Sequence, residues 1–119
     1  NKLPLKMLTV LILGMSFKEN CNDLRNSKVF ELIELFKKQS IKIFHSEPYI
    51  NNLKVNGSTN INFEALKKSK QKFDVIIIAA PHDEFYDSEK TIKSKLKNKN
   101  SLIFDIKGKM KQGKNYERL

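Results

Sequence analysis

Residues Leu8–Lys28, LTVLILGMSFKENCNDLRNSK, decide how the whole chain is read. Leu8, Val10, Leu11, Ile12 and Leu13 form a near-continuous apolar run, the pattern of a strand covered on both faces in a parallel sheet. Gly14 ends the run at a turn, where glycine permits a positive φ or a close backbone approach. A polar loop holding Lys18, Asp23 and Arg25 follows, and a helix begins near Ser27. In an open α/β sheet, ligands sit beyond the carboxyl ends of the strands, where helix N-termini present unpaired N–H groups. The loop therefore belongs to the functional edge of the sheet, in a geometry that suits an anion.

Outward from this stretch the same alternation continues. Between Ser27 and Gln39, Val29, Leu32, Ile33 and Phe36 recur at helical spacing, with Glu31, Glu34, Lys37 and Lys38 toward solvent. Asn26 or Ser27 caps the start, and the closing lysines suit the negative end of the helix dipole. Ile41, Ile43 and Phe44 predict a short second strand, parallel to the first. From His45 to Asn62 the pattern weakens, although Leu53 and Val55 alternate before Asn56-Gly57, a hairpin-type turn. Phe63 to about Ser69 predicts a short helix capped by Asn62. Phe73-Asp-Val-Ile-Ile-Ile-Ala-Ala80 is the strongest strand and is expected at the centre, stopped by Pro81. Asp83 caps a turn over Glu84 to Tyr86, and Ser88 opens a helix to about Lys97 that buries Ile92 and Leu96. Leu102, Ile103, Phe104 and Ile106 form the fourth strand. After a polar tail from Lys109 to Asn115, Tyr116 and Leu119 tie down the terminus.

The expected fold is thus α/β, a Rossmann-like doubly wound and mainly parallel sheet with helices on both faces, strand one lying beside strands two and three. A chain of 119 residues makes one domain, burying roughly two thirds of its unfolded surface. The net charge of +10 favours anionic partners. Most of the lysines are spread over helices and loops and read as a solvated surface. Cys21 is the sole cysteine, which excludes an intrachain disulfide and a Cys-based zinc cluster and fits a reducing cytoplasm. The apolar runs are too short to span a bilayer, and the opening Asn1–Lys6 carries no long apolar signal core. Because residue 1 is Asn, the chain is expected to be a portion of a longer protein.

Residues Gly14–Lys28, GMSFKENCNDLRNSK, also resemble the signature that opens the C-terminal, nucleotide-sugar-binding domain of the UDP-glucose/GDP-mannose dehydrogenase family, in the branch that oxidises UDP-N-acetylhexosamines to uronic acids. Ala80-Pro-His-Asp-Glu-Phe85, Phe104-Asp-Ile-Lys-Gly108 and Tyr116-Glu-Arg-Leu119 continue the resemblance in family order. The matches span nearly the whole chain, and Ser46 to Lys72 match poorly. Asn22 stands at a common proline, Pro81 at a small apolar residue, Glu117 at a tryptophan, and His45-Ser-Glu-Pro48 near an expected Asp-Pro.

The resemblance implies a single nucleotide-sugar-binding domain over residues 1–119, the C-terminal part of an NAD-dependent UDP-sugar 6-dehydrogenase serving bacterial surface polysaccharide synthesis. NAD and the cysteine that carries the thioester intermediate would then belong to missing N-terminal and central domains, leaving this domain inactive alone. Phe17, Lys18 and Lys107 are implied to bind substrate. Asp23, Arg25, His82 and Arg118 are implied to support the loops.

Read from the residues alone, Lys18 and Lys107 are two exposed lysines among many, and the resemblance gives them their role. Cys21 reads as a small packing residue, since a reactive thiolate needs a base or positive field beside it. His82 follows the central strand and is read as bracing a loop through a hydrogen bond, and His45 as a surface or edge residue. No metal set is expected. Two other readings compete: a basic α/β module that binds nucleic acid, and an interaction domain with a degenerate ligand site. The first calls for a helix-turn-helix or RNP-like pattern, which the sequence lacks, so no specific nucleic acid is expected as a partner, and no membrane.

Overall fold

The computed structural model describes residues 8–15, 29–106 and 108, and the backbone of 116–118. The elements are β1 (Thr9–Leu13), α1 (Val29–Lys38), β2 (Lys42–Ser46), β3 (Thr59–Asn60), α2 (Phe63–Lys68), β4 (Val75–Ile78), α3 (Asp83–Asp87), α4 (Glu89–Lys93), β5 (Leu102–Asp105) and β6 (Tyr116–Arg118). The strands form one sheet in the order β3-β2-β1-β4-β5-β6, and every neighbouring pair is parallel. This is the strand order of dinucleotide-binding α/β folds, with its switch point between β1 and β4. The predicted placement of the first strand between the second and the long apolar strand is what the sheet shows.

Side-chain alternation on the central strands builds two cores. Val10 and Ile12 of β1, Ile43 of β2 and Ile77 of β4 pack with Val29 and Ile33 of α1. Leu11, Leu13, Phe44, Ile76 and Ile78 face the other way, against Phe63 and Leu66 of α2, Phe85 of α3 and Ile92 of α4. Successive residues of a strand point to opposite faces, so helices on both sides demand apolar residues at every position. The unbroken apolar runs of β1 and β4 are the signature of that demand.

At the amino-terminal edge of the sheet Asp74 is nearly buried and ties β1 to β4. Its Oδ2 accepts the Thr9 N–H (2.9 Å) and the Lys97 ammonium (3.1 Å). Burial pushes the Asp74 carboxyl up, but the Thr9 N–H and Lys97 outweigh it and hold the group below its ordinary value.

Several expectations need correction. The turn expected over Glu84 to Tyr86 is a short helix, α3, and the helix expected from Ser88 to about Lys97 is α4, which already ends at Lys93. Beyond Lys93 the chain turns extended, because Phe73 donates to the Lys95 carbonyl and accepts from the Lys97 N–H, a bridge between Phe73 and Leu96. The fourth apolar strand stops at Asp105, leaving Ile106 in a turn and 41% exposed. Lys95 is buried instead of solvated. Its ammonium donates to the Lys67 and Ser69 carbonyls and so closes the C-terminus of α2. The Asn62 cap, accepting from the Ala65 N–H at 3.1 Å, and the Val55–Ser58 hairpin stand as expected.

Candidate functional site

All strands being parallel, their carboxyl ends share one edge. Beyond that edge lie Gly14 and Met15 after β1, Glu47 after β2, Pro81 and His82 after β4, and Ile106 and Gly108 after β5. Here, at β1 and β4, the strand order reverses, which is where open α/β sheets hold their ligands. β1 and β5 flank β4, which separates their ends by two strand spacings, roughly 10 Å. The exits of β1 and β5 thus lie on either side of the central strand.

Phe17, Lys18, Asp23, Arg25 and Lys107 fall in those loops and lie outside the described residues, as does Cys21. The flanking backbone is described: Gly14 has φ +91° and Gly108 φ +69°, left-handed turns at the two strand exits. Arg118 is placed by its backbone, opposite Asp105 in the β5–β6 register. Asp105 is itself buried and accepts the Tyr86 hydroxyl at 2.8 Å, which braces the exit of β5 against α3.

His82 is fully buried, and its Nε2 lies 3.1 Å from Oε1 and 3.0 Å from Oε2 of Glu47. The sequence reading expects His82 to brace a loop and names no partner; Glu47 is not read there. Glu47, 5% exposed, also accepts the Met15 N–H at 2.7 Å and the Tyr49 N–H at 2.9 Å. Burial raises the Glu47 carboxyl, but the His82 hydrogen bond and the two N–H donors prevail and hold it below its ordinary value. One ionised carboxylate therefore joins the ends of β1, β2 and β4. The available signal was an acid directly after the second strand and before Pro48.

Tyr49 extends this cluster. Its ring lies 4.7 Å from the His82 ring, and its hydroxyl donates to Glu84 Oε1 at 3.0 Å, a bond that pushes the phenol up to about 12. Beside it a cleft of ≈ 440 Å³ opens between the turn after β2 and the start of α2, lined by Tyr49, Asn51, Asn60, Phe63, Glu64 and Glu84 among others. Among the described residues the cleft's lining carries carboxylates and amides and no lysine or arginine.

His45 corrects the expectation of a surface position. It is buried, with Nδ1 2.6 Å from Ser58 Oγ and Nε2 2.7 Å from the Leu53 carbonyl. The carbonyl can only accept, so Nε2 carries the proton and Nδ1 accepts the Ser58 hydroxyl. Burial lowers its pKa, against smaller opposing effects of the Leu53 carbonyl and Glu47. It staples the Leu53–Ser58 segment to β2.

Among the described residues no three His, Cys, Asp or Glu side chains converge on a metal site. No helix of the described residues is long and apolar enough to cross a membrane. The strand order alone would accommodate a dinucleotide, but the donor set does not fit one. Dinucleotide sites use three glycines after the first strand, where this chain has Gly14-Met-Ser-Phe-Lys-Glu19, and a free acid after the second, where Glu47 is consumed by its own chain.

Compared with known proteins, residues 11–112 match the family described as UDP-glucose/GDP-mannose dehydrogenase family, UDP binding domain. Protein CapL of Staphylococcus aureus is 33% identical over 104 residues, which are 84% of this chain and 23% of CapL. A UDP-N-acetyl-D-glucosamine 6-dehydrogenase of Salmonella typhi is 35% identical over 77 residues, 65% of this chain and 18% of that protein. The chain thus spans about a quarter or less of these relatives. Among solved structures, the NDP-N-acetyl-D-galactosaminuronic acid dehydrogenase of Methanosarcina mazei Go1 superimposes with a TM-score of 0.73 at 20% identity, over 98% of this chain and 25% of that one. That likeness shows the fold.

Proposed function

The chain belongs to the UDP-glucose/GDP-mannose dehydrogenase family, and from that premise we propose that it is the UDP-sugar-binding domain of an NAD-dependent nucleotide-sugar 6-dehydrogenase. Residues 1–119 form a single nucleotide-sugar-binding domain in the C-terminal part of a larger enzyme, working in the cytoplasm for surface polysaccharide synthesis. The observation that carries this reading is the shared edge at the switch point. In sequence Phe17 and Lys18 follow the exit of β1 and Lys107 follows the exit of β5, two strand exits that stand roughly 10 Å apart across β4.

The domain's work is binding and orientation. Backbone N–H groups before the helix and two ammonium groups neutralise the diphosphate, while Asp23, Arg25, His82 and Arg118 support the loops. No described side-chain set supplies a nucleophile, so oxidation of the C6 alcohol to the acid belongs to the remainder of the enzyme. NAD is likewise assigned there, since this chain's residues do not fit it. When bound, NAD accepts the hydride.

The test is an NMR titration of the chain with UDP, alongside Lys18→Ala. A charged hydrogen bond contributes about 1.5 to 3 kcal/mol, and about 1.4 kcal/mol is one decade of affinity, so the substitution should weaken binding roughly tenfold or more. Shifts confined to lysines of the helices, and unchanged by the substitution, would sink the reading.

A further inference from the structure

We propose that the cleft between the turn after β2 and the start of α2 is a binding site for a neutral sugar ring, apart from the β1 and β5 exits that flank β4.

At ≈ 440 Å³ the cleft falls within the range of about 300 to 1,000 Å³ that small-molecule sites occupy. Its walls are fixed by the chain's own contacts. On one side Tyr49 donates its N–H to the Glu47 carboxylate at 2.9 Å and its hydroxyl to Glu84 Oε1 at 3.0 Å, while the Ile50 N–H reaches the Glu47 carbonyl at 3.3 Å. On the other side the Ile61 N–H donates to the His45 carbonyl at 2.8 Å, and the buried Phe63 meets Phe85 edge to face at 5.2 Å. Walls held in this way need little ordering when a ligand enters.

The polar groups between these walls are uncommitted. Among the described residues the side chains of Asn51, Asn52 and Asn60 make no hydrogen bond, and Glu84 uses only Oε1. Asn62 and Asn98, by contrast, each accept a backbone N–H. An amide both donates and accepts, as a hydroxyl does, so a ring of hydroxyls can be satisfied by a cluster of amides. The Tyr49 ring, Ile50 and Ile61 supply apolar surface for the C–H face of such a ring.

Charge narrows the class of ligand. The lining holds Glu47, Glu64 and Glu84 and no lysine or arginine, so a phosphate or an acidic sugar would meet like charge. The carboxylates do not call for a cation either. Glu47 faces His82 and two N–H donors, Glu64 is paired with Lys67 at 3.0 Å, and Glu84 accepts the Tyr49 hydroxyl. A neutral polyhydroxylated ring fits what is left.

The test is an NMR titration of the chain with methyl glucoside, read at the side-chain amide signals of Asn51, Asn52 and Asn60. These should move together and saturate with a dissociation constant of about 1 to 10 mM. Methyl glucuronide, the same ring with a carboxylate at C6, should bind about fivefold more weakly through like-charge repulsion. Asn60→Ala removes an amide that supports nothing in the fold, so it should weaken methyl glucoside binding about fivefold at an unchanged melting temperature. Glu84→Gln keeps an oxygen for the Tyr49 hydroxyl and removes a charge. It should narrow the preference for the neutral sugar to about twofold or less, which mere loosening of the wall would not do.

No saturable movement of those amides overturns the site, as does an Asn60→Ala chain that binds like the unsubstituted one. If methyl glucosaminide in its ammonium form binds about tenfold more tightly than methyl glucoside, the cleft is a cation site and the proposal falls. If UDP moves the same amides and displaces methyl glucoside, the cleft belongs to the nucleotide site; the separate sugar site then falls while UDP binding stands.

Discussion

Ala80 stands so close to Gly14 that a Cβ on residue 14 would lie 2.6 Å from the Ala80 Cβ and 2.8 Å from its amide nitrogen. The contact exists because β1 and β4 keep pairing to their ends: the Ala79 N–H reaches the Leu13 carbonyl at 2.8 Å. Two adjacent strand exits can come this near only where one of them has no side chain.

Gly14→Ala should therefore be strongly destabilising. Overpacking against backbone costs about 1 to 3 kcal/mol, and the left-handed φ of +91° adds roughly 1 to 2 kcal/mol for a residue with a Cβ. A urea midpoint well below that of the unsubstituted chain is expected. An unchanged midpoint would mean that the two strand ends separate freely.

The centre of the fold was legible because local pattern and tertiary role agree there. A strand buried on both faces must be apolar throughout, and Val10–Leu13 and Val75–Ala80 are. The edges were illegible for the complementary reason. β3 is Thr59-Asn60 and β6 is Tyr116-Glu117-Arg118, short segments that need only a few ladder hydrogen bonds from one neighbour and carry no apolar signal. The early end of α4 at Lys93 was equally hidden, since the chain beyond it is drawn into a bridge with the distant Phe73.

Within the candidate site, sequence spacing identified the exits of β1, β4 and β5. It did not find Glu47 or bury His45, because a polar residue's partners lie far along the chain: Met15 is 32 residues from Glu47 and His82 is 35. Asp74 and Lys95 are the same case. Each reads as surface by type and is buried because a partner elsewhere satisfies it.

The net charge of +10 predicts attraction to any polyanion, with no sequence preference. Each phosphate contact releases counterions, so such binding falls steeply with salt. DNA binding seen at low ionic strength should be lost at physiological salt for every duplex tried. One defined oligonucleotide that remains bound through that increase, while others dissociate, would favour a nucleic-acid function.

Acid should unfold the domain in two stages, because three buried groups are perturbed in the same thermodynamic direction. His45 has its pKa lowered in the fold, chiefly by burial, from an ordinary value of 6.5. Below about pH 6.5 the unfolded chain binds a proton that the folded chain refuses, so stability falls as pH falls, until the depressed native value is passed. Glu47 and Asp74 also lie below their ordinary values of 4.5 and 3.8, their hydrogen-bond donors outweighing burial. Their contribution is fully present above those values and is lost as pH falls through the native ones. Urea midpoints measured from pH 7.5 to 3 should therefore begin to decline below about pH 6.5, in a first stage set by His45, and decline further below about 4.5. His45→Gln isolates the first stage, since its amide can still donate to the Leu53 carbonyl and accept from Ser58 but does not titrate. The variant should start less stable and lose less between pH 7 and 5 than the unsubstituted chain. An equal loss in both would show that His45 is not the group that refuses the proton.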